Sequence, residues 1–327
     1  MIDLFSVPAT KNETKMALFI VRHLEKLKIP FNIDDFGNIY IVKGISDTYP
    51  MFTAHLDTVH TYRDGYNCMI QDGIISAVDN SGNPVGVAGD DKNGIYVCLK
   101  MLETLPILKV VFFSGEEVGG IGSKNFNKKW LEDCRFIGGV DRKGITDFVT
   151  EHGGKTVSDD FLIEIQPLLN KYKRTQSSGL FTDAFSFSSL NISSFNMSCG
   201  YYDPHTSNET VVVQELEDTL QFCLEIANTL TKTYPHIKPV PTSYYPQGMI
   251  YHDNGFDDDI DYWWERPRKF YTNTKRSFTK DLTKTEHKEA KQIDLFPKIE
   301  DNGIDETAWE QQLREEAEEW KRWFPND

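Results

Sequence analysis

Apolar runs that stop on charged residues recur along this chain. PMFTAHLDTV reaches His55-Leu56-Asp57, PVGVAGDD ends at Asp90-Asp91, LKVVFFSGEE at Glu116-Glu117, and CRFIGGVDRKG passes through Asp141. Another run, NIYIVKG, alternates after a Gly-Asn turn. Short runs rich in β-branched and aromatic residues predict strands. Helical spacing lies between them: residues 13–28 place Met16, Phe19, Ile20, His23, Leu24 and Leu27 on one face, and 93–104 and 210–232 read as further helices. Strands alternating with helices predict an α/β fold, a mixed, mostly parallel sheet flanked by helices on both faces. In such sheets ligands bind outside the carboxyl ends of the strands. His55, Asp57, Asp90, Asp91, Glu116, Glu117 and Asp141 all fall there, and a further strand-like segment, SFNMSCGYYDPHT, brings in His205.

Composition removes several function classes. The 327 residues carry 50 acidic against 35 basic side chains, a net charge of −15. Nucleic-acid affinity rests on clustered Lys and Arg, so no nucleic-acid partner is expected. Five cysteines without C-x-x-C spacing fit a reducing compartment. The N-terminus lacks a basic stretch followed by an apolar one, and no run is long enough to span a bilayer. The expectation is a cytoplasmic protein with no membrane partner and, at 39% hydrophobic residues, a substantial core.

Residues 1–234 read as a single catalytic domain. Beyond it, 235–304 is rich in Pro, Tyr, Asp and Lys and reads as a linker or wrapping segment. Residues 305–324 read as a helix with a Trp309, Leu313, Ala317, Trp320, Phe324 stripe and a Thr307/Glu310 capping box. That stripe must bury against the chain's own body, a partner helix or a second subunit.

The adjacent aspartates admit two readings. One of them can cap the helix that follows, accepting its orphan N–H groups. Alternatively they belong to a metal site, since first-row divalent ions take imidazole and carboxylate ligands and an ion pair needs a carboxylate that reaches both. Adjacent glutamates suit the second reading, because one can bind while the other moves a proton.

The blocks FTAHLDTV, VAGDDKNG, FFSGEEVGGIGS, GGVDRKG, FTDA and YYDPHTSNE occur here in the order found in the co-catalytic, di-zinc metallo-exopeptidases. The chain resembles that family over about residues 10–232, most closely peptidase T and its aminopeptidase and deacylase relatives. The resemblance implies that His55, Asp90 and Asp141 hold one divalent ion, and Asp90, Glu117 and His205 a second. Asp90 would be the bridge and its peptide bond to Asp91 cis. Zinc is the expected metal, with cobalt or manganese compatible. Glu116 matches the general base, and Asp57 the residue that orients His55. Arg142, Thr182, Asp183 and Gly200 are candidates for substrate binding, as at most are His60 and His152; His23 is expected to be structural.

The implied activity is hydrolysis of amide bonds in short peptides by a water activated between two metal ions, as an aminopeptidase or tripeptidase. A deacylase of N-acyl amino acids or a carboxypeptidase of the same family would use the same site. A catalytically silent binding protein of this fold is a third reading, against which Glu116 argues, because a structural metal site needs no base outside its ligands. Peptidase T places a lid domain of roughly a hundred residues between the Asp141 and FTDA blocks, whereas about thirty separate them here. The aromatic clusters beyond residue 234 suggest that this segment covers the cleft in place of a lid. Truncation after residue 234 is then expected to lower substrate affinity or turnover in steady-state kinetics; unchanged constants would discard that role.

Overall fold

A computed structural model describes residues 1–10 and 13–238, so the wrapping segment and C-terminal helix expected beyond residue 238 lie outside the described residues. In chain order it contains α1 (Ile2–Ser6), α2 (Thr14–Lys26), β1 (Asn32–Ile33), β2 (Ile39–Lys43), β3 (Tyr49–His55), β4 (Asn67–Gln71), β5 (Ile74–Val78) and β6 (Pro84–Val85). There follow α3 (Gly89–Thr104), β7 (Leu108–Phe113), α4 (Ile121–Asn125), β8 (Cys134–Gly139), β9 (Asp147–Glu151), α5 (Asp159–Lys171) and β10 (Thr175–Ser178). The last are β11 (Ser194–Met197), β12 (Tyr201–Tyr202), β13 (Thr210–Val212) and α6 (Val213–Thr229), with 3₁₀ turns at Lys128–Leu131 and Asp183–Phe187.

Every residue of β3 and β7 is buried, the pattern of strands covered on both faces rather than one. They sit within an eight-stranded sheet of order β1-β2-β7-β3-β8-β11-β9-β10. Strands β7, β3, β8 and β11 run parallel, and β2 and β9 pair antiparallel at either side of them. Alternation splits their side chains between two cores. Phe52, Ala54, Val110, Phe112 and Phe136 join the apolar faces of α2, α3, α5 and α6. Met51, Val111, Phe113 and Ile137 face the other way, where Phe126, Leu131, Ala184 and Phe187 from short helical turns cover them. The α/β architecture read from the strand pattern is therefore present, with long helices on one face and short ones on the other.

The register levels the strand ends. His55 pairs with Phe113, and Thr53 with Gly139. The next backbone bonds, Leu56 N–H to the Phe113 carbonyl (2.8 Å) and Val140 N–H to that of Thr53 (3.3 Å), carry the alignment past the strands. His55, the Glu116-Glu117 loop and Asp141 thus emerge at one edge.

Some elements depart from the sequence reading. The segment 210–232 is not all helix: Thr210–Val212 forms β13 and α6 starts at Val213. Its β-branched run suits a strand, and Val211 pairs with both Tyr201 and Ile75. This strand belongs to a second sheet, β12-β13-β5-β4 with β6 on β5, which the sequence reading did not anticipate. The β4–β5 hairpin turns at Asp72-Gly73, both with positive φ, the Asp-Gly signature of a primed turn. The residues between Asp141 and FTDA form β9, α5 and β10, with Ser158 capping α5 through the Phe161 N–H. All five cysteines are free thiols, and no helix among the described residues is long and apolar enough to cross a membrane.

Phe195 on β11 ties the larger core together, with ring centroids 4.8 Å from Phe148, 5.3 Å from Phe161 and 5.6 Å from Phe136. Gly138 makes room for it, because a Cβ there would lie 2.8 Å from the Phe195 ring and 3.0 Å from Phe52. Phe195→Ala is expected to destabilise the fold by about 3–5 kcal/mol, the usual cost of emptying an aromatic core site. Denaturant unfolding measures this; a loss below about 1 kcal/mol would show that the site collapses around the gap.

Candidate active site

Asp90 lies between two imidazoles. Its Oδ1 is 2.9 Å from His55 Nε2, and its Oδ2 is 3.3 Å from His205 Nε2. The same His55 nitrogen is 3.8 Å from Asp141 Oδ1, and the same His205 nitrogen is 3.0 Å from Glu117 Oε1. Two donor groups result, His55/Asp90/Asp141 and Asp90/Glu117/His205, each with its ligand atoms within 4.8 Å of one another. Asp90 belongs to both and offers one oxygen to each. His205 reaches its position from a left-handed backbone, φ 64°, a conformation tolerated in few non-glycine residues and common at functional turns.

The adjacent aspartates divide their work. Asp91 accepts the N–H of Gly94 at 2.9 Å, a helix-capping bond, and that of His55 at 3.1 Å. Asp90 turns away toward the imidazoles. Both have non-helical backbone angles, and the peptide between them is cis.

Asp57 fastens the end of β3 to the loop after β7. Its Oδ1 and Oδ2 accept the N–H groups of Glu116 (2.9 Å) and Glu117 (3.0 Å), while His55 Nδ1 lies 3.3 Å from Oδ1 and 3.0 Å from the Asp57 carbonyl. Hydrogen bonds to a buried carboxylate contribute roughly 1.5–3 kcal/mol each, enough to fix the loop that carries both glutamates. Asp141 is held by the hydroxyls of Thr182 (3.1 Å) and Tyr201 (3.2 Å), and its backbone by Asn196.

The other residues singled out from sequence take varied places. Asp183 is buried beside the cluster, its carboxyl oxygens out of solvent and near the Ser123 hydroxyl. Arg142 points its Nε at Asp147 Oδ2, 2.7 Å away. Gly200 sits in a turn at φ 87°, its N–H on the Gly144 carbonyl. His152 stacks on Phe185, 5.3 Å between centroids. His60 is 2.6 Å from Glu209, and His23 pairs with Glu103 on the surface. Sequence reading assigned no role to Glu13, Tyr201, Asn196 or Glu209. Glu13 stands before α2, and its Oε1 accepts the N–H of Gly115, next to Glu116. Nothing in its own neighbourhood of the sequence signals a partner a hundred residues away.

Crowded carboxylates out of water resist ionisation. Burial pushes Glu116 up to about 9, with Asp141, Asp183 and Asp90 adding to the push and His55 opposing it. Burial likewise raises Asp141 to about 6, Asp183 to about 7 and Glu13 to about 7. Burial alone would lower His55, yet the surrounding carboxyl groups of Asp141, Asp57 and Asp90 hold it well above the usual imidazole range. His205 rises to about 10 through Asp90 and Glu117. Such a cluster is short of positive charge, which a divalent cation supplies. Glu117 Oε1 is buried with only the His205 imidazole, 3.0 Å away, as a polar neighbour, and these two groups with Asp90 form a compact set of donors of the kind a divalent ion takes. Imidazole and carboxylate donors suit zinc, cobalt or manganese. The residues present therefore fit the ions that the sequence resemblance implies.

Residues 39–228 match peptidase family M28. Among curated proteins no sequence matches. Among solved structures, aminopeptidase PepT from Bacillus cereus ATCC 10987 is 17% identical with a TM-score of 0.59, the match covering 70% of this chain and 96% of that one. A tripeptidase from Staphylococcus aureus is 14% identical, TM-score 0.56, with the same coverage. The TET1 peptidase of Pyrococcus horikoshii, which assembles into a tetrahedron or a large octahedral shell, is 15% identical, TM-score 0.50, covering 69% of this chain and 97% of that one. At these identities the likeness is one of fold.

Asp183 and Glu13 make the metal-free protein sensitive to pH. Their folded pKa values, about 7, stand above the ordinary 3.8 and 4.5, so between those values the folded state holds more protons than the unfolded one. Stability then falls as pH rises through that window. The raised histidines act in the same direction, since their contribution is lost as pH climbs through their folded values. Melting temperature in the presence of a chelator is expected to drop from about pH 5 to about pH 8, and added zinc to restore it at the upper end. A metal-free melting temperature that rose across this range would contradict the assignment.

Proposed function

Since the chain belongs to peptidase family M28, we propose that it is a metal-dependent exopeptidase that removes an N-terminal residue from short peptides. The observation that carries this reading is the pair of donor groups sharing Asp90, with Glu116 beside them and in neither group. His55, Asp90 and Asp141 would hold one divalent ion, and Asp90, Glu117 and His205 the other, zinc being the first candidate. Ions bound there supply a lowered pKa for water and a polarised substrate carbonyl.

The chain's own residues do the rest. Glu116 takes the proton of the attacking water and passes it to the leaving amine; its place beside the two donor groups and outside both suits that shuttle, and cations bound there would draw its burial-raised pKa down so that it starts ionised. Asp57 keeps His55 turned so that Nε2 faces the cluster, and its grip on the Glu116 N–H sets the base beside the ligands. Thr182 orients Asp141 through its hydroxyl. Arg142 is engaged with Asp147 rather than free to pair with a substrate carboxylate. An arginine already paired in this way does not clamp a substrate carboxylate, which supports an aminopeptidase over a deacylase or carboxypeptidase. The aminopeptidase and tripeptidase named among the similar folds support the same choice. We take residues 1–234 as the catalytic unit, and the five free thiols support a cytoplasmic setting.

Glu116→Gln is expected to keep its metal content and melting temperature while losing turnover by ~10²–10⁴, the range for a general base. Full activity in that variant would discard the mechanism. Asp90→Ala should lose both ions by elemental analysis and His205→Ala mainly one; two ions retained without Asp90 would remove the bridge. The substrate class is tested by a screen of di- and tripeptides and N-acyl amino acids, with a chelator control. Chelator-sensitive cleavage confined to peptides with a free amino end is expected, and cleavage of N-acyl amino acids alone would overturn the aminopeptidase reading.

A further inference from the structure

Glu209 is 1% exposed and sits where three donors converge. Its Oε1 accepts the backbone N–H of Asp90 at 2.9 Å, and its Oε2 accepts that of Ala88 at 3.1 Å and the Nε2–H of His60 at 2.6 Å. From these contacts we infer that Glu209, backed by His60, is a positioning residue that sets Asp90 between the two donor groups. The inference rests on the metal-site reading above and adds to it the element that aims the shared ligand.

The backbone that carries Asp90 needs such a partner. Ala88 is left-handed at φ 57°, and Asp90 (φ −83°, ψ 98°) and Asp91 (φ −121°, ψ 41°) are not helical. N–H groups at the start of a helix lack carbonyls from a preceding turn. Here the carboxylate of Glu209, from a distant part of the chain, takes two of them, and both belong to the three residues that decide where the Asp90 side chain points. The loop between β12 and β13 that supplies Glu209 also supplies His205, four residues earlier. One loop therefore grips Asp90 twice, its carboxylate through His205 and its main chain through Glu209.

His60 is itself held in place. Its ring lies against Gly86, where a Cβ would be 2.0 Å from the imidazole, so no larger residue fits under it. Tyr62 stacks on it at 6.1 Å and 25°, and the Tyr62 hydroxyl bonds the Gly86 carbonyl at 2.7 Å. An ionised carboxylate accepts from all three donors at once, whereas an amide in its place turns an NH₂ toward one of them. Because Asp90 serves both donor groups, misplacing its backbone weakens both. Removal of a support of Asp141 alone would weaken one.

The test is a calorimetric titration of zinc into metal-stripped full-length protein, for the wild type, Glu209→Gln and His60→Phe, alongside melting of each with and without metal. Glu209→Gln keeps the side-chain shape, and His60→Phe keeps a ring over Gly86 while removing the donor. In Glu209→Gln the affinity for both ions is expected to fall by ~10–100-fold, as for other groups that orient metal ligands. In His60→Phe the loss should be smaller but again shared by the two sites. Melting of the metal-free variants should change less than melting of the loaded ones. Wild-type affinities in both variants, or a loss confined to one ion, would overturn the role of Glu209. So would an equal drop in melting temperature with and without metal, which marks a purely structural residue. A wild-type chain that binds no zinc would instead sink the metal-site reading itself.

Discussion

One buried carboxylate with an imidazole on each of its oxygens is the constraint around which the carboxyl edge of the central sheet is arranged. Asp90 faces His55 and His205 together because the chain departs from helical geometry in the first turn of α3, at Asp90 and Asp91, and the supporting bonds are disposed to keep it there. Asp91 ties the helix start to β3 through the His55 N–H, and Glu209 holds the preceding turn. Each support is a buried carboxyl oxygen accepting from a backbone N–H, a bond whose geometry tolerates little displacement.

The sheet supplies the rigidity that this arrangement needs. Parallel central strands, buried on both faces, cannot slide relative to one another without reversing every side chain between the two cores. Their register therefore transmits directly to the level at which His55, the Glu116-Glu117 loop and Asp141 leave the sheet. Asp57 completes the alignment by joining the loop beyond β7 to the end of β3. The clustered histidines and carboxylates stand on strand ends and short turns, where a small backbone shift would separate donor atoms that now lie within 4.8 Å.

Legibility followed distance along the chain. The central strands and the long helices α2 and α3 were readable because hydrophobic period is a local property. The start of α6 was not, since Thr210–Val212 carries apolar residues compatible with either state and becomes a strand by pairing with Tyr201 and Ile75. The second sheet shared that fate, its Asp72-Gly73 turn being the one local signal. Among site residues, the histidines and strand-end carboxylates stood out by their blocks. Glu13 did not, and Glu209, though it ends the YYDPHTSNE block, carried no sign of its role, because each acts on a backbone N–H contributed by a remote segment.

The chain's sequence by itself determined the alternation of strands and helices and the set of charged residues at the strand ends, since both are written in short-range pattern and residue type. Only the tertiary structure decided which of two adjacent aspartates caps α3 and which turns to the imidazoles, which histidine pairs with Glu209, and where Arg142 points. Those outcomes depend on what approaches from elsewhere in the fold, and a side chain's partner in space is set by sheet register and loop path, which no local pattern encodes.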